Sequence, residues 1–236
     1  MDILGAALLD YYNGNYSEDI ITESTISEED ELPSPYLFRS YNEMPVIEQK
    51  ALTLCKGKVL DIGCGSGSHS LYLQNEKKLV VEAIDISKGA SEVAKLRGVT
   101  NSFHKNLFEV KETYDTLLLL MNGIGICGKI ERINLFLQHL KSLLNTNGQI
   151  LLDSTDISYM FEQDEEGGFW VNPDEYYGEV EFTMSYKGEK SEAFDWLYLD
   201  FNTLQNACHA NGLECELIQE GEHFDFLARL TVINNK

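Results

Sequence analysis

Long hydrophobic runs are rare in this sequence of 236 residues. One of the longest, TLLLLM at Thr116–Met121, is far shorter than the roughly 20 apolar residues that a membrane-spanning helix needs. The amino-terminal stretch MDILGAALLDYYNGNYSED lacks the basic start and the small-residue cleavage site of a secretory signal, and it turns acidic. We therefore expect a cytoplasmic protein with no membrane partner.

Cysteine pairs and basic clusters are missing as well. The five cysteines form no C-x-x-C pair and are odd in number, which argues against a zinc site and against a disulfide framework. Lysine and arginine total 18 against 39 aspartates and glutamates, and the formal net charge of −21 would repel a nucleic-acid backbone. We expect reduced thiols, no metal site and no nucleic-acid partner.

Strand and helix patterns alternate from Asn42 onwards. Strand patterns recur in KVLDIG, LVVEAID, VTNSFHK, YDTLLLLM and QILLDS, and helical patterns separate them, including the long KIERINLFLQHLKSLLNTNG. This order predicts an α/β fold with a doubly wound, mostly parallel sheet of seven strands. The last two segments, LECELIQE and FDFLARLTVI, predict an antiparallel C-terminal hairpin that completes the sheet.

Two stretches fall outside this alternation. Residues 1–41 are expected to form an N-terminal cap, in which the acidic run SEEDELPSP at Ser27–Pro35 predicts a solvated loop. Residues 42–236 are expected to form the main domain, with 156–192 as a small insertion over the active edge of the sheet. A hairpin that turns at KGEK is predicted around the end of this insertion.

The stretch VLDIGCGSGSHS at Val59–Ser70 joins a predicted strand to a predicted helix through a glycine-rich turn. A dinucleotide fingerprint needs the spacing G-x-G-x-x-G, but here Ser68 stands at the last position and the turn is G-x-G-x-G. Such glycines let the backbone take positive φ and let a ligand approach it closely. Asp85, at the tip of the next strand, can accept hydrogen bonds from a ribose diol in nicotinamide and adenosine sites alike.

VLDIGCGSG together with AIDIS resembles the first two motifs of the class I S-adenosylmethionine-dependent methyltransferases, a Rossmann-like family. The resemblance continues through YDTLLLLMNGIGICG and GQILLDSTD and covers Asn42–Asp156. It implies S-adenosyl-L-methionine as the cofactor and methyl transfer as the reaction. The cofactor-binding residues that it implies are Asp61, Gly63, Gly65, Gly67, Asp85, Ile86, Asn106, Leu107, Asn122 and Gly123.

The same resemblance assigns each part of the cofactor to particular residues. Asp61, Gly63 and Gly65 would frame the methionine part, and Asp85 would bind the ribose. Asn122 and Gly123 would lie beneath the middle of the cofactor. Asn106 and Leu107 would edge the adenine. The family often has aspartate at the first of these two positions, and the amide oxygen of Asn106 can still accept a hydrogen bond from the adenine amino group.

Methyl transfer from a sulfonium is an in-line displacement, in which holding the reactants in line does most of the catalytic work. A general base is needed only where the acceptor must lose a proton. The candidates are His69 in the first turn of the helix after the glycine turn, His104 on a weak strand, Asp153 at the tip of the fifth strand, and Asp156 just beyond it. The segment MNGIGICG lacks the motifs of DNA methylation, which leaves a small molecule or a protein side chain as the acceptor, and we expect a small molecule.

The acceptor is expected to lie between aromatic side chains before and after the core, namely Tyr11, Tyr12, Tyr16, Tyr36, Phe38, Tyr41, Phe161, Phe169, Trp170, Tyr176 and Tyr177. Aromatic rings beside carboxylates favour a cationic acceptor, whereas Arg39 could instead bind a substrate carboxylate. Two other functions remain open: a non-catalytic protein that binds the cofactor or a partner, and an NAD-dependent oxidoreductase, which Ser68 disfavours.

Overall fold

The computed structural model describes residues 1–161 and 176–233, which build two β-sheets flanked by helices. The helices are α1 (Ile3–Tyr12), α2 (Val46–Leu54), α3 (Ser68–Asn75), α4 (Lys88–Leu96), α5 (Ile133–Ser142) and α6 (Phe201–Ala210). The strands are β1 (Ile20–Ser24), β2 (Asp30–Leu32), β3 (Lys58–Ile62), β4 (Val80–Asp85), β5 (Ser102–His104), β6 (Tyr114–Leu119), β7 (Leu144–Thr155), β8 (Glu179–Tyr186), β9 (Glu189–Lys190), β10 (Phe194–Leu197), β11 (Leu213–Glu220) and β12 (Asp225–Val232).

The larger sheet has seven strands in the order β11-β12-β7-β6-β3-β4-β5. The pairs among β3, β4, β5, β6 and β7 are parallel, and β12 joins β7 and β11 in antiparallel fashion. The predicted doubly wound sheet with its antiparallel C-terminal hairpin is therefore confirmed. The strand order reverses between β3 and β6, so the ligand crevice of this fold lies at the carboxyl ends of those two strands.

Both faces of this sheet are apolar, because its strands are covered on both sides. Successive side chains of a strand point to opposite faces. In β6, Leu117 and Leu119 accordingly pack with Phe136 of α5, whereas Leu118 packs on the other face with Leu52 of α2. The uninterrupted leucine run therefore supplies two cores at once.

One boundary differs from the sequence prediction. The pattern KIERINLFLQHLKSLLNTNG predicts a helix to the end of that segment, but α5 ends at Ser142 and β7 begins at Leu144. The Leu143 carbonyl accepts a hydrogen bond from the Tyr114 N–H at 2.8 Å, and Leu144 pairs with Tyr114 in β6. Pairing with a neighbouring strand thus overrides the local helical periodicity.

The smaller sheet joins the start of the chain to the region after β7. Its order is β10-β8-β1-β2, with β9 also paired to β8. The hairpin predicted at KGEK is present as β8 and β9, which pair on either side of Lys187 and Gly188. The acidic run predicted as a solvated loop contains strand β2, which pairs with β1, so that prediction was wrong for Asp30–Leu32.

Residues 162–175, among them Phe169 and Trp170, lie outside the described residues, and the assignment of 156–192 as an insertion over the active edge stays a prediction. Across the described ranges, no helix has both the length and the apolar character needed to cross a membrane. The five cysteines are free thiols in buried positions.

Candidate active site

The glycine turn connects β3 to α3 at the reversal point of the sheet. Gly63, Gly65 and Gly67 have φ values of 75°, 53° and 85°, a region that residues with a Cβ rarely adopt. A Cβ on Gly67 would lie 2.8 Å from Val99, whereas a Cβ on Gly65 would meet nothing within 4 Å. Gly67 is therefore required by packing, and Gly65 exposes its backbone to open space where a ligand can lie.

Asp85 ties the tip of β4 to this turn. Its Oδ2 accepts a hydrogen bond from the Gly65 N–H at 2.8 Å, and its Oδ1 accepts one from the Ser87 N–H at 2.8 Å. Burial raises the pKa of Asp85, although the two backbone hydrogen bonds oppose that shift. The N-cap of α4 is Ser87, whose hydroxyl accepts from the Ala90 N–H at 3.0 Å, so Asp85 is not needed as the cap.

Asp61, in β3, holds the start of α3. Its Oδ2 accepts a hydrogen bond from the Ser70 hydroxyl at 2.5 Å. Burial raises the pKa of Asp61, while the nearby His69 and the bond from Ser70 lower it. Asp61 and His69 are thus close enough to interact electrostatically beneath the glycine turn.

The residues expected at the adenine edge form a separate turn after β5. Asn106 caps the short 3-10 helix Leu107–Glu109, and its Oδ1 accepts from the Phe108 N–H at 2.9 Å. Leu107 is buried in the main core, whereas Ile86 at the tip of β4 is 74% exposed and Phe108 is also exposed. No hydrogen bond connects Asn106 to the glycine turn among the described residues.

A second turn follows β6, and Asp153 of β7 holds it. Asp153 Oδ2 accepts from the Met121 N–H at 3.0 Å, and Oδ1 accepts from the Gly123 N–H at 2.7 Å. Met121 and Asn122 have φ values of 67° and 56° although neither is glycine. The Asn122 amide donates to the Leu197 carbonyl at 3.1 Å, which joins this turn to the smaller sheet.

Asp153 is deeply buried, and burial raises its pKa to about 6 despite the hydrogen bonds from the turn after β6. Both carboxylate oxygens are occupied by backbone donors. Asp153, which the sequence predicts as a candidate general base, therefore has a structural role among the described residues: it fixes the strained turn after β6.

His69 lies in a buried group of charged side chains. Its Nε2 is 2.6 Å from Glu48 Oε2, and the other oxygen of Glu48 pairs with the Arg39 guanidinium. Arg39, Glu48 and His69 are 7%, 3% and 8% exposed. Burial raises the pKa of Glu48, but the contacts with His69 and Arg39 outweigh it and the net pKa is lowered.

Glu48 is the member of this group that the sequence analysis missed. It stands in α2 next to Ile47 and is buried on the same helix face as Ala51 and Leu52. A glutamate on the apolar face of a predicted helix is the only local signal, since a buried carboxylate needs a charged or hydrogen-bonding partner. Its two partners come from other segments of the chain.

Asp156, at the end of β7, belongs to a different neighbourhood. Its Oδ1 accepts from the Ser158 N–H and from the Tyr177 hydroxyl, each at 2.9 Å. It borders a cavity of about 480 Å³ at the same rim of the sheet. The residues that line this cavity are Asp156, Asp200, Phe201, Asn202, Leu217, Glu220, Gly221, Glu222, Phe224, Asp225 and Phe226.

Comparison with known proteins identifies the family of the chain. A family model described as a methyltransferase domain matches residues 36–217. A solved S-adenosylmethionine-dependent methyltransferase from Bacteroides fragilis, in complex with S-adenosyl-L-homocysteine, is 46% identical with a TM-score of 0.91, covering 98% of this chain and 94% of that one. The chain belongs to the class I S-adenosylmethionine-dependent methyltransferases. S-adenosyl-L-methionine is accordingly the cofactor of this methyltransferase.

More distant structures share the fold of the methyltransferase. The CcbJ methyltransferase from Streptomyces caelestis is 12% identical with a TM-score of 0.59, over 81% of this chain and 91% of that one. The amino pentose methyltransferase CalS10 from Micromonospora echinaspora is 13% identical with a TM-score of 0.53, over 84% and 94%. No curated protein gives a match to this sequence.

The described residues fit the cofactor of this family in two respects. Gly65 leaves open space where an added Cβ would stand. The Nε atom of Arg39 is buried and has no hydrogen-bond partner among the described residues. An unpaired buried donor is costly, and a carboxylate such as that of the methionine part would satisfy it.

Proposed function

We propose that this methyltransferase transfers the methyl group of S-adenosyl-L-methionine to a small-molecule acceptor. The observation that carries the proposal is the cavity of about 480 Å³ at the carboxyl end of β7, a volume typical of sites for small molecules. Asp225, which lines it, pairs with Thr155, two residues along β7 from Asp153. The cavity therefore borders the rim to which we assign the cofactor.

The phenol of Tyr36 supports this proximity. Burial raises the pKa of Tyr36, the neighbouring Arg39 lowers it, and three carboxylates raise it further, those of Glu48, Asp153 and Asp225. One phenol thus lies within electrostatic range of the His69 group, of the turn after β6 and of the cavity. We assign Tyr36 to the wall between the cofactor and the acceptor.

We assign the cofactor to the residues named from the family resemblance. The backbone at Gly63 and Gly65 would hold the methionine part, with Asp61 beneath, and Asp85 would accept from the ribose hydroxyls. Asn106 and Leu107 would edge the adenine, with Ile86 beside it, and the turn at Asn122 and Gly123 would lie below the middle of the cofactor.

The charge of the cavity favours a neutral or cationic acceptor over an anionic one. Its described lining contains the carboxylates of Asp156, Asp200, Glu220, Glu222 and Asp225, and no lysine or arginine. Arg39, a candidate for binding a substrate carboxylate, instead pairs with Glu48, and we assign its unpaired Nε to the carboxylate of the cofactor. Like charges repel in a confined site, so a carboxylate acceptor would be disfavoured.

Positioning supplies most of the catalysis in this proposal. Holding the acceptor atom in line with the methyl carbon can lower the barrier by ~7–11 kcal/mol without a covalent residue. If the acceptor atom carries a proton, a base must take it, and we propose His69 for this role. Asp153 fixes the turn after β6, and Asp156 would contact the acceptor from the cavity.

The test is a calorimetric titration with S-adenosyl-L-methionine, S-adenosyl-L-homocysteine and NAD(H), followed by a screen of amine, alcohol and carboxylate acceptors by mass spectrometry. We expect micromolar binding of the first two ligands and methylation of an amine or alcohol. Methylation of carboxylates alone would overturn the charge argument. Cofactor binding without any methylated product would favour a non-catalytic binding protein.

We also propose that the methyltransferase works in the cytoplasm. The support comes from its five cysteines, which are buried free thiols in the structure. Proteins of oxidising compartments commonly pair such residues into disulfides.

A further inference from the structure

Glu48 connects three segments of the chain through one carboxylate. Oε1 pairs with Arg39, which precedes α2, and Oε2 lies 2.6 Å from His69 Nε2 in the first turn of α3. The Arg39 guanidinium also donates to the Tyr36 carbonyl at 2.7 Å and stacks over the Tyr36 ring at 4.0 Å. The position of the His69 ring is thus linked to the segment that bears Tyr36.

The protonation of Glu48 determines which nitrogen of His69 carries the hydrogen. Because Oε1 pairs with the Arg39 guanidinium, the side chain of Glu48 is a carboxylate at neutral pH and can only accept hydrogen bonds. The Nε2 atom of His69 must therefore donate. In the neutral imidazole, the other ring nitrogen, Nδ1, is then an unprotonated acceptor.

The Nδ1 atom of His69 is open to a ligand. It has no hydrogen-bond partner in the described part of the chain, where the contacts of the ring involve Nε2. It is also absent from the buried polar atoms that lack a partner, which are Ser34 Oγ, Arg39 Nε, Tyr114 Oη and Asn122 Oδ1. Because Nδ1 has no hydrogen-bond partner and is not one of these buried atoms, it reaches solvent, although the His69 residue as a whole is buried.

We infer that Glu48 is a positioning residue, which holds His69 with its hydrogen on Nε2 so that Nδ1 receives the proton released by the acceptor. This inference rests on the proposed function. The acceptor atom forms a bond to the methyl carbon as the carbon–sulfur bond breaks and its electron pair returns to sulfur. The proton of the acceptor atom passes to Nδ1, and S-adenosyl-L-homocysteine leaves as a neutral thioether.

Other charged groups surround this pair. Asp61 of β3 interacts electrostatically with His69, and Arg39 pairs with Glu48. Asp153 of β7 and Tyr36 are within electrostatic range of Glu48. The hydrogen bond to Glu48 fixes the tautomer, because among the described residues it is the hydrogen bond that the His69 ring makes.

The first experiment is nuclear magnetic resonance of the full-length protein labelled with ¹⁵N-histidine, with the His69 signals assigned through H69Q. In the wild type we expect the Nε2–H tautomer. In E48Q, the amide oxygen of the new glutamine should keep the hydrogen bond from Arg39, so its NH₂ group faces His69. Nε2 must then accept a hydrogen bond, and we expect the tautomer to change to Nδ1–H. E48D keeps a carboxylate and is expected to retain the wild-type tautomer, and the exposed E92Q in α4 serves as the matched control.

The second experiment measures methyl transfer to whichever N–H or O–H acceptor the screen identifies. We expect kcat of E48Q to fall about 10- to 100-fold, the lower range of general-base contributions, with E92Q unchanged. The loss should shrink at alkaline pH, where the acceptor has already lost its proton. A merely structural role of Glu48 would give a loss that does not depend on pH.

Two results would overturn the inference. One is a wild-type His69 whose hydrogen is on Nδ1, a result that does not depend on whether E48Q folds. The other is a kcat of E48Q equal to that of the wild type on an acceptor with a proton to lose. If no acceptor reacts with the wild type, the proposed function fails, and the tautomer measurement still decides whether Glu48 positions His69.

Discussion

The two turns at the active rim reach similar backbone conformations by different means. In the turn after β3, the residues at positive φ are glycines, for which that conformation carries little penalty. In the turn after β6, Met121 and Asn122 adopt it at a cost, and two hydrogen bonds to Asp153 hold them there. The first turn is specified by its own residues, and the second by a carboxylate on the next strand of the sheet.

The largest expected effect comes from breaking the second turn. Asp153→Ala leaves the Met121 and Gly123 N–H groups without their acceptors and releases a strained backbone. We expect a loss of about 3–5 kcal/mol in the free energy of unfolding, measured by urea denaturation. Asp153→Asn retains one oxygen acceptor and should lose about half as much. Equal stability of D153A and the wild type would show that the turn holds itself.

The pH dependence of stability tests the same carboxylate. The pKa of Asp153 is raised from 3.8 to about 6 in the folded protein, so the folded state binds its proton more tightly than the unfolded state does. Stability should therefore fall as pH rises from 4 to 7, by about 3 kcal/mol from this group. In D153N the fall should be smaller by that amount. A difference between the two proteins that stays constant with pH would contradict the prediction.

The Asp85→Ala substitution tests the link between the turn after β3 and the end of strand β4. The change removes the acceptor for the Gly65 N–H together with the buried, charge-assisted contact to the ribose that we propose. We expect the affinity for S-adenosyl-L-methionine to fall about 10- to 150-fold, or ~1.5–3 kcal/mol, by calorimetry. Thermal unfolding of the variant checks that it is folded. Unchanged affinity would remove Asp85 from the cofactor site.

The smallest effect on stability is expected at Gly65. Alanine there meets no atom within 4 Å but must adopt φ near 53°, which costs about 1–2 kcal/mol. The added Cβ would occupy the space assigned to the cofactor, so we expect at least about a tenfold loss of affinity as well. Gly188→Ala is the matched control, because Gly188 also has positive φ and open space but lies between β8 and β9. It should lose stability and keep its affinity.

This contrast explains what the sequence could predict. The glycine turn, the acidic tip of β4 and the parallel strands of the large sheet depend on local patterns, such as glycine spacing and apolar alternation. The task of Asp153 was not visible, because the turn that it holds belongs to another strand. Glu48 was missed for the same reason, since Arg39 and His69 become its partners only after α2 and α3 have packed.

The small sheet shows the same limit at longer range. Strand β1 has a weak pattern of its own, and its main partner is β8, far along the chain. No local feature of Ser27–Pro35 indicates that β2 will find an edge to pair with, and charged residues are common on such edges. Pairings between distant segments therefore escape an analysis that proceeds window by window.

The small sheet also sets an order of events during synthesis. The Thr183 hydroxyl on β8 donates to the Glu23 carboxylate on β1 across 160 residues. Strands β3 to β6 have all left the ribosome before β8 exists, and domains fold from the amino terminus as they emerge. The segment that bears Tyr36 and Arg39 precedes the glycine turn in the chain. The small sheet that anchors this segment nevertheless forms only after the strands of the cofactor site have been made.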